Sequence, residues 1–305
     1  NELQRPSTFS TGIMENAENP EAARQLIESV RNKHAVDLSV RMARGLPLSS
    51  PGRGVGNLRQ PFLPIDIGYN QVTGAQNQTH TMDGHSGTHL VPPAYALPAE
   101  GFDNKTYTSE VQAWLVEYEK KYGPRGTSDV TTEKVPVSQT SGWARVISVK
   151  GLVGGTKSNS WPASPEITVA AIKKYEEGNG GLNAGEIVIF HSGHSDANCN
   201  DADKADPCMA DPLNGKSEGW PAPGPEAIMY LAKKGIRCVG TDGPTLGGVD
   251  AKRALMTYWA LGGKGMVAVE YLTNVGALPE KSYFLFAAPK VRGGHGGPGR
   301  AIALY

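Results

Sequence analysis

From residue 167 onward the chain alternates two apolar patterns, and this alternation restricts the fold more than any other feature. ITVAAIKKYEEG, PEAIMYLAKKG and AKRALMTYWALGG repeat their apolar residues with helical period. Between and after them run EIVIFH, IRCVGTD and MVAVEYL, short apolar stretches too compact for helices and rich in β-branched residues. Pro225 suits a first helical position and Gly235 a helix exit, so the middle helix carries both of its boundaries. Helices alternating with apolar strands imply an α/β fold whose strands are covered on their faces. FLFAAPKV and RAIALY add late strands.

The first half is less regular. NPEAARQLIESVRNK places Ala23, Leu26, Ile27 and Val30 on one stripe and predicts an amphipathic helix, and SEVQAWLVEYEKKY predicts another. Between them, residues 44–78 are dense in Gly, Pro, Asn and Gln and are expected to form a long irregular excursion. A second loose region, 123–142, runs into the β-rich ARVISVK. The 38 glycines and 22 prolines follow no period, so they indicate turns rather than repeats. We expect a helical segment over residues 1–36, followed by one compact domain over 37–305.

Thirty basic residues balance 30 acidic ones without long blocks, and no apolar run reaches the length of a membrane span. The expected partner is therefore a small-molecule substrate, not nucleic acid or a membrane. The chain begins at Asn1. Removal of a signal peptide would make the protein periplasmic or secreted, and otherwise it would be cytoplasmic. Cys199 and Cys208 flank a polar loop in which a disulfide is sterically possible, and Cys238 lies in an apolar run. The acidic loop NDADKADP lacks the glycine and terminal glutamate of a calcium loop and reads as a solvated segment.

The stretch HTMDGHSGTHLVPP, residues 80–93, carries the candidate chemistry. His85 and His89 are four apart, and Pro92 and Pro93 argue that they converge from a turn rather than from a helix. Gly87 would let the backbone approach an ion closely, and Thr88 could bond a ligand or a neighbouring turn. A histidine pair needs further ligands. His191 and His194, in FHSGHSD at the end of a predicted strand, are candidates, as are the adjacent His80 and Asp83.

Six segments in order, DLSVRMARGLP, HSGTHLVPP, AGEIVIFHSGH, KKGIRCVGTDGPTLG, VAVEYLTNVGALP and GGHGGPGRAIALY, resemble the cyclase-like metal-dependent hydrolases. That family includes bacterial kynurenine formamidase, isatin hydrolase and a trans-dienelactone hydrolase. The resemblance implies a swivelling β/β/α fold, assembly as a homodimer or larger oligomer, and hydrolysis of a small cyclic amide, lactone or formamide by metal-activated water. It also exposes departures. Val91 stands where the family has a ligand aspartate, Tyr95 where it has a catalytic histidine, and Tyr258 where it has a ligand histidine. What survives is His85, His89 and Glu270, a set suited to one divalent ion, zinc or alternatively manganese. His194, Tyr258 and Tyr95 would then position substrate or move protons, and His191 and Thr88 would contact substrate. With three positions lost, the alternative is a catalytically silent homologue that binds a small ligand or serves as an assembly partner. A metal-free lyase acting through tyrosine is weaker still. His34 and His295 lie outside the matched positions and read as structural.

Overall fold

The computed structural model describes residues 34–43, 63–69, 74–200 and 206–305, with isolated positions at 24, 28 and 72. Apart from Arg24 and Glu28, both helical, the expected helix over 19–33 lies outside the described residues, as does the tip of the acidic loop, including Asp201 and Asp203.

The strands are β1 (Ala35–Asp37), β2 (Leu63–Tyr69), β3 (Gln76–Thr81), β4 (His89–Val91), β5 (Ser141–Ser148), β6 (Glu166–Ile167), β7 (Ile187–His191), β8 (Ala222–Pro223), β9 (Cys238–Thr241), β10 (Val267–Glu270), β11 (Lys281–Ala287), β12 (Gly297–Pro298) and β13 (Arg300–Leu304). The helices are α1 (Ser109–Tyr122), α2 (Val169–Asn179), α3 (His194–Asn198), α4 (Pro225–Lys233) and α5 (Ala251–Gly263). Thr108, Thr168 and Asp250 cap α1, α2 and α5 by accepting from a backbone N–H three residues on.

One nine-stranded sheet runs β1-β13-β11-β5-β7-β9-β10-β4-β12. Its centre, β5-β7-β9-β10, is parallel, and antiparallel strands extend it on both sides. The pleat sorts the central side chains. Val188, Phe190, Val239 and Ala268 face a core shared with Ile172 of α2, Ile228 and Leu231 of α4, and Trp259 and Leu261 of α5. Ile187, Ile189, Val267 and Val269 face the other way and pack with Phe284 and Phe286 of β11 and Ala301 and Ala303 of β13. The sheet therefore curls so that its outer strands close over its own second face. This is a mixed α/β single domain, as the strand and helix alternation predicts.

One expectation is corrected. Within 44–78, β2 and β3 pair as an antiparallel ribbon with an irregularity between Asp66 and Gly68. Cross-strand hydrogen bonding there outweighs the low β-propensity of segments such as QNQTHT. No helix among the described residues is long and apolar enough to cross a membrane.

Candidate functional site

The site forms where β4 meets β10. These strands pair antiparallel with Glu270 directly opposite His89, so residues 181 positions apart share one face of the sheet. That face is the one bearing Val91 and Ala268, toward the helices. His89 and Glu270 are each 2% exposed, and His89 Nε2 lies 3.2 Å from Glu270 Oε2. Two ligands on one tetrahedral ion stand roughly 3.4 Å apart, so this spacing fits a shared metal.

The surroundings orient both groups. His89 Nδ1 lies 2.8 Å from the Gly87 carbonyl and donates to it, which leaves the lone pair on Nε2. Glu270 Oε1 accepts from the Tyr258 hydroxyl at 2.6 Å and from the Leu246 N–H at 2.9 Å. Only Oε2 then faces His89, and His89 Nε2 has no hydrogen-bond partner. A lone pair opposed to a carboxylate oxygen at this distance needs a proton or a cation between them. The donor chemistry and the orphaned nitrogen thus fit a divalent metal.

The turn before β4 is equally built. Gly87 has φ +60°, a left-handed conformation, and a Cβ there would press on Met42 and Val40. Thr88 contacts protein rather than solvent: its hydroxyl donates to the Tyr271 carbonyl at 2.6 Å and accepts from Val40 N–H at 2.9 Å. Tyr271, directly after Glu270, is itself left-handed at φ 63°. A tyrosine pays strain there of about 1–2 kcal/mol, a cost seen at functional sites.

His85 packs edge-on to His89 with ring centroids 5.0 Å apart and tilts against Tyr95 at 4.7 Å; Tyr95 in turn meets Tyr258 at 5.0 Å. Burial, together with the neighbouring His89, drives the His85 pKa down to about 4 against the pull of Glu270 and Asp83, so its imidazole is neutral at pH 7. Burial and then the Glu270 charge hold Tyr258 well above the ordinary phenol value, which keeps it a hydrogen-bond donor. Tyr95 is pushed up to about 12, by burial first and then by Glu270 and Asp83, although its side chain as a whole remains 44% exposed. Neither phenol suits proton shuttling at neutral pH.

The expected residues do not all meet. Among the described residues, the group of three acidic, histidine or cysteine donors falling within 4.8 Å of one another is His194, Cys199 and Cys208, so the donor atom of His85 stands off from the His89–Glu270 pair. His191 lies with Ile189 on the opposite face of the sheet. Its Nδ1 bonds Asp242 Oδ2 at 2.9 Å, and Asp242 also accepts from Ser192 N–H and hydroxyl and from Gly193 N–H. Burial raises the Asp242 pKa, but these bonds outweigh it and hold the carboxyl below its usual range. His194 Nε2 donates to the Cys208 carbonyl at 2.8 Å and its ring packs on Trp220. Burial lowers its pKa. Cys199 and Cys208 are joined by a disulfide. His80 bonds Gln78, and Asp83 accepts from His85 N–H to shape the turn.

Several contributors have no reading from sequence. The Leu246 N–H and Asp242 belong to a matched motif, yet only the folded loop assigns them partners. His295 bears electrostatically on His85, and Gly296 beside it packs so closely on Gly84 that a Cβ would strike the Gly84 carbonyl and the His85 ring. The glycine-flanked GGHGG run was the available signal for that loop. His34 does stack on Tyr305 at the sheet edge.

The curled mixed sheet, with polar groups gathered at one edge of its helix-facing surface, defines a cyclase-like α/β protein. Residues 36–247 match the family described as Cyclase, putative cyclase, and the chain belongs to that family. Isatin hydrolase A from Ralstonia solanacearum superimposes with a TM-score of 0.69 at 20% identity, covering 94% of this chain and 98% of that one. Isatin hydrolase A from Labrenzia aggregata, bound to benzyl benzoate, gives 0.67 at 21%, covering 93% and 98%. A predicted metal-dependent hydrolase from Bacillus stearothermophilus gives 0.55 at 18%, covering 88% and 97%. No curated protein sequence matches the chain significantly.

Proposed function

We propose that this protein hydrolyses a small cyclic amide, lactone or formamide using one divalent metal, zinc or manganese, held by His89, Glu270 and His85. The observation that supports it is the orphaned His89 Nε2 facing Glu270 Oε2 at 3.2 Å. Such an ion supplies Lewis acidity and brings the pKa of a water toward neutrality. The chain's own residues do the rest. Gly87 orients His89, Tyr258 and Leu246 orient Glu270, and the rings of Tyr95 and His85 wall the approach. Val91, 1% exposed and packed among core residues, supplies no second carboxylate, which favours one ion over two. The relatives named as hydrolases are consistent with this reading at the level of fold. Assembly as a homodimer or larger oligomer is part of the same proposal, and sedimentation measures it.

The second reading is a silent homologue that binds a small ligand, favoured by the Tyr258 hydroxyl already seated on Glu270. Metal analysis of chelator-free protein, beside His89→Ala and Glu270→Ala, separates the two when combined with an amide and lactone hydrolysis screen. Near-stoichiometric metal in wild type, at least tenfold less in either variant, and chelator-sensitive turnover are expected. Wild-type protein devoid of metal and of turnover selects the binding reading, and hydrolysis indifferent to chelator overturns the metal mechanism.

A further inference from the structure

A second set of donors lies beside the candidate site, built from different residues. One ring nitrogen of His194 and the sulfurs of Cys199 and Cys208 lie within 4.8 Å of one another, and both cysteines are buried. The cysteines are oxidised here, with Cα atoms 5.0 Å apart. Two thiolates on one zinc ion stand roughly 3.8 Å apart, a separation that side-chain rotation about such a pair can reach.

The shell around them is prepared for a metal as well. His194 donates Nε2–H to the Cys208 carbonyl, which leaves the lone pair on Nδ1, and among the described residues the Asn198 amide approaches that nitrogen at 3.4 Å. A second hydrogen bond of this kind is what fixes the ring of a metal-binding histidine. The Tyr271 hydroxyl lies 3.1 Å from Cys208 Sγ, within reach of a sulfur-bound hydrogen bond. Val40, Met209 and Tyr271 wrap the sulfurs, and Trp220 covers His194. Two buried thiolates would be costly uncompensated, and a divalent cation supplies the compensation.

We propose that reduction of the Cys199–Cys208 disulfide creates a site for one zinc-class ion, bound by both thiolates and His194. A dithiol delivers two electrons and two protons, the S–S bond opens to two thiols, and the dithiol becomes its own disulfide. Metal binding then releases the two thiol protons. The site is independent of His89 and Glu270.

The test uses the full chain in a Cys238→Ala background, which removes the remaining thiol. Protein is reduced with dithiothreitol under argon, freed of reductant and titrated with cobalt(II), with circular dichroism monitoring the fold. The expected result is a thiolate-to-cobalt charge-transfer band that reaches full intensity with one cobalt per chain bound beyond any ion held by His89 and Glu270, and that is abolished by added zinc. The oxidised protein and Cys208→Ser lack the band, His194→Ala weakens binding at least tenfold, and His89→Ala leaves it unchanged. A reduced chain that unfolds, a folded one without the band, or unaltered affinity in His194→Ala overturns the proposal.

Discussion

At the scale of single residues, the candidate site depends on how a buried carboxylate is held. Glu270 keeps one oxygen for His89 because Tyr258 and Leu246 occupy the other. Tyr258→Phe removes the hydroxyl and leaves the Gly247 N–H without its partner. We expect a loss of about 1–2 kcal/mol in urea unfolding with metal content retained; an unchanged midpoint would show that the hydroxyl does not support Glu270. Asp242 offers a pH test. Its folded pKa lies below 3.8, so its contribution to stability is complete above that value and is lost as pH falls through the folded pKa. Asp242→Asn keeps one acceptor oxygen for Ser192 and turns the other into an amide, so it should cost about 1–3 kcal/mol at neutral pH by leaving the His191 and Gly193 donors, both on Oδ2, without an acceptor. It should also flatten the acid limb of the stability curve, and an acid limb parallel to wild type would contradict the assignment.

At the scale of elements, local patterning accounts for most of what forms. α1 occupies the expected SEVQAWLVEYEKKY, α4 and α5 fall within their periodic segments, and α2 overruns its segment by one residue, to Asn179. Their caps and apolar stripes are short-range properties, readable within a dozen residues. The β2–β3 ribbon was not legible, because QNQTHT has no alternation and is a strand only by virtue of its partner. Turns that must pass close to other backbone obey tertiary demands too. A Cβ at Gly243 would come within 2.2 Å of the Trp220 ring, which packs over His194. Gly243→Ala is therefore expected to cost about 1–3 kcal/mol through overpacking. A thermal midpoint equal to wild type would mean that the Trp220 ring relaxes freely.

At the scale of the whole molecule, long-range closure decides both stability and chemistry. The Cys199–Cys208 bond closes a loop of nine residues' separation. Removing it in a Cys199→Ser, Cys208→Ser double variant should cost about 2–3 kcal/mol by freeing the unfolded chain, and equal stability in denaturant would argue against that bond. The residues themselves carried the α/β alternation, the histidine pair and the family's ordered segments, because helix period, strand composition and motif spacing are local. They also singled out Glu270 through its resemblance to a ligand. Folding alone set Glu270 opposite His89, since register depends on how β4 and β10 pack across 181 intervening positions. Folding likewise turned His191 to the far face, because alternate residues of a strand point to opposite sides and only a packed sheet decides which side is which.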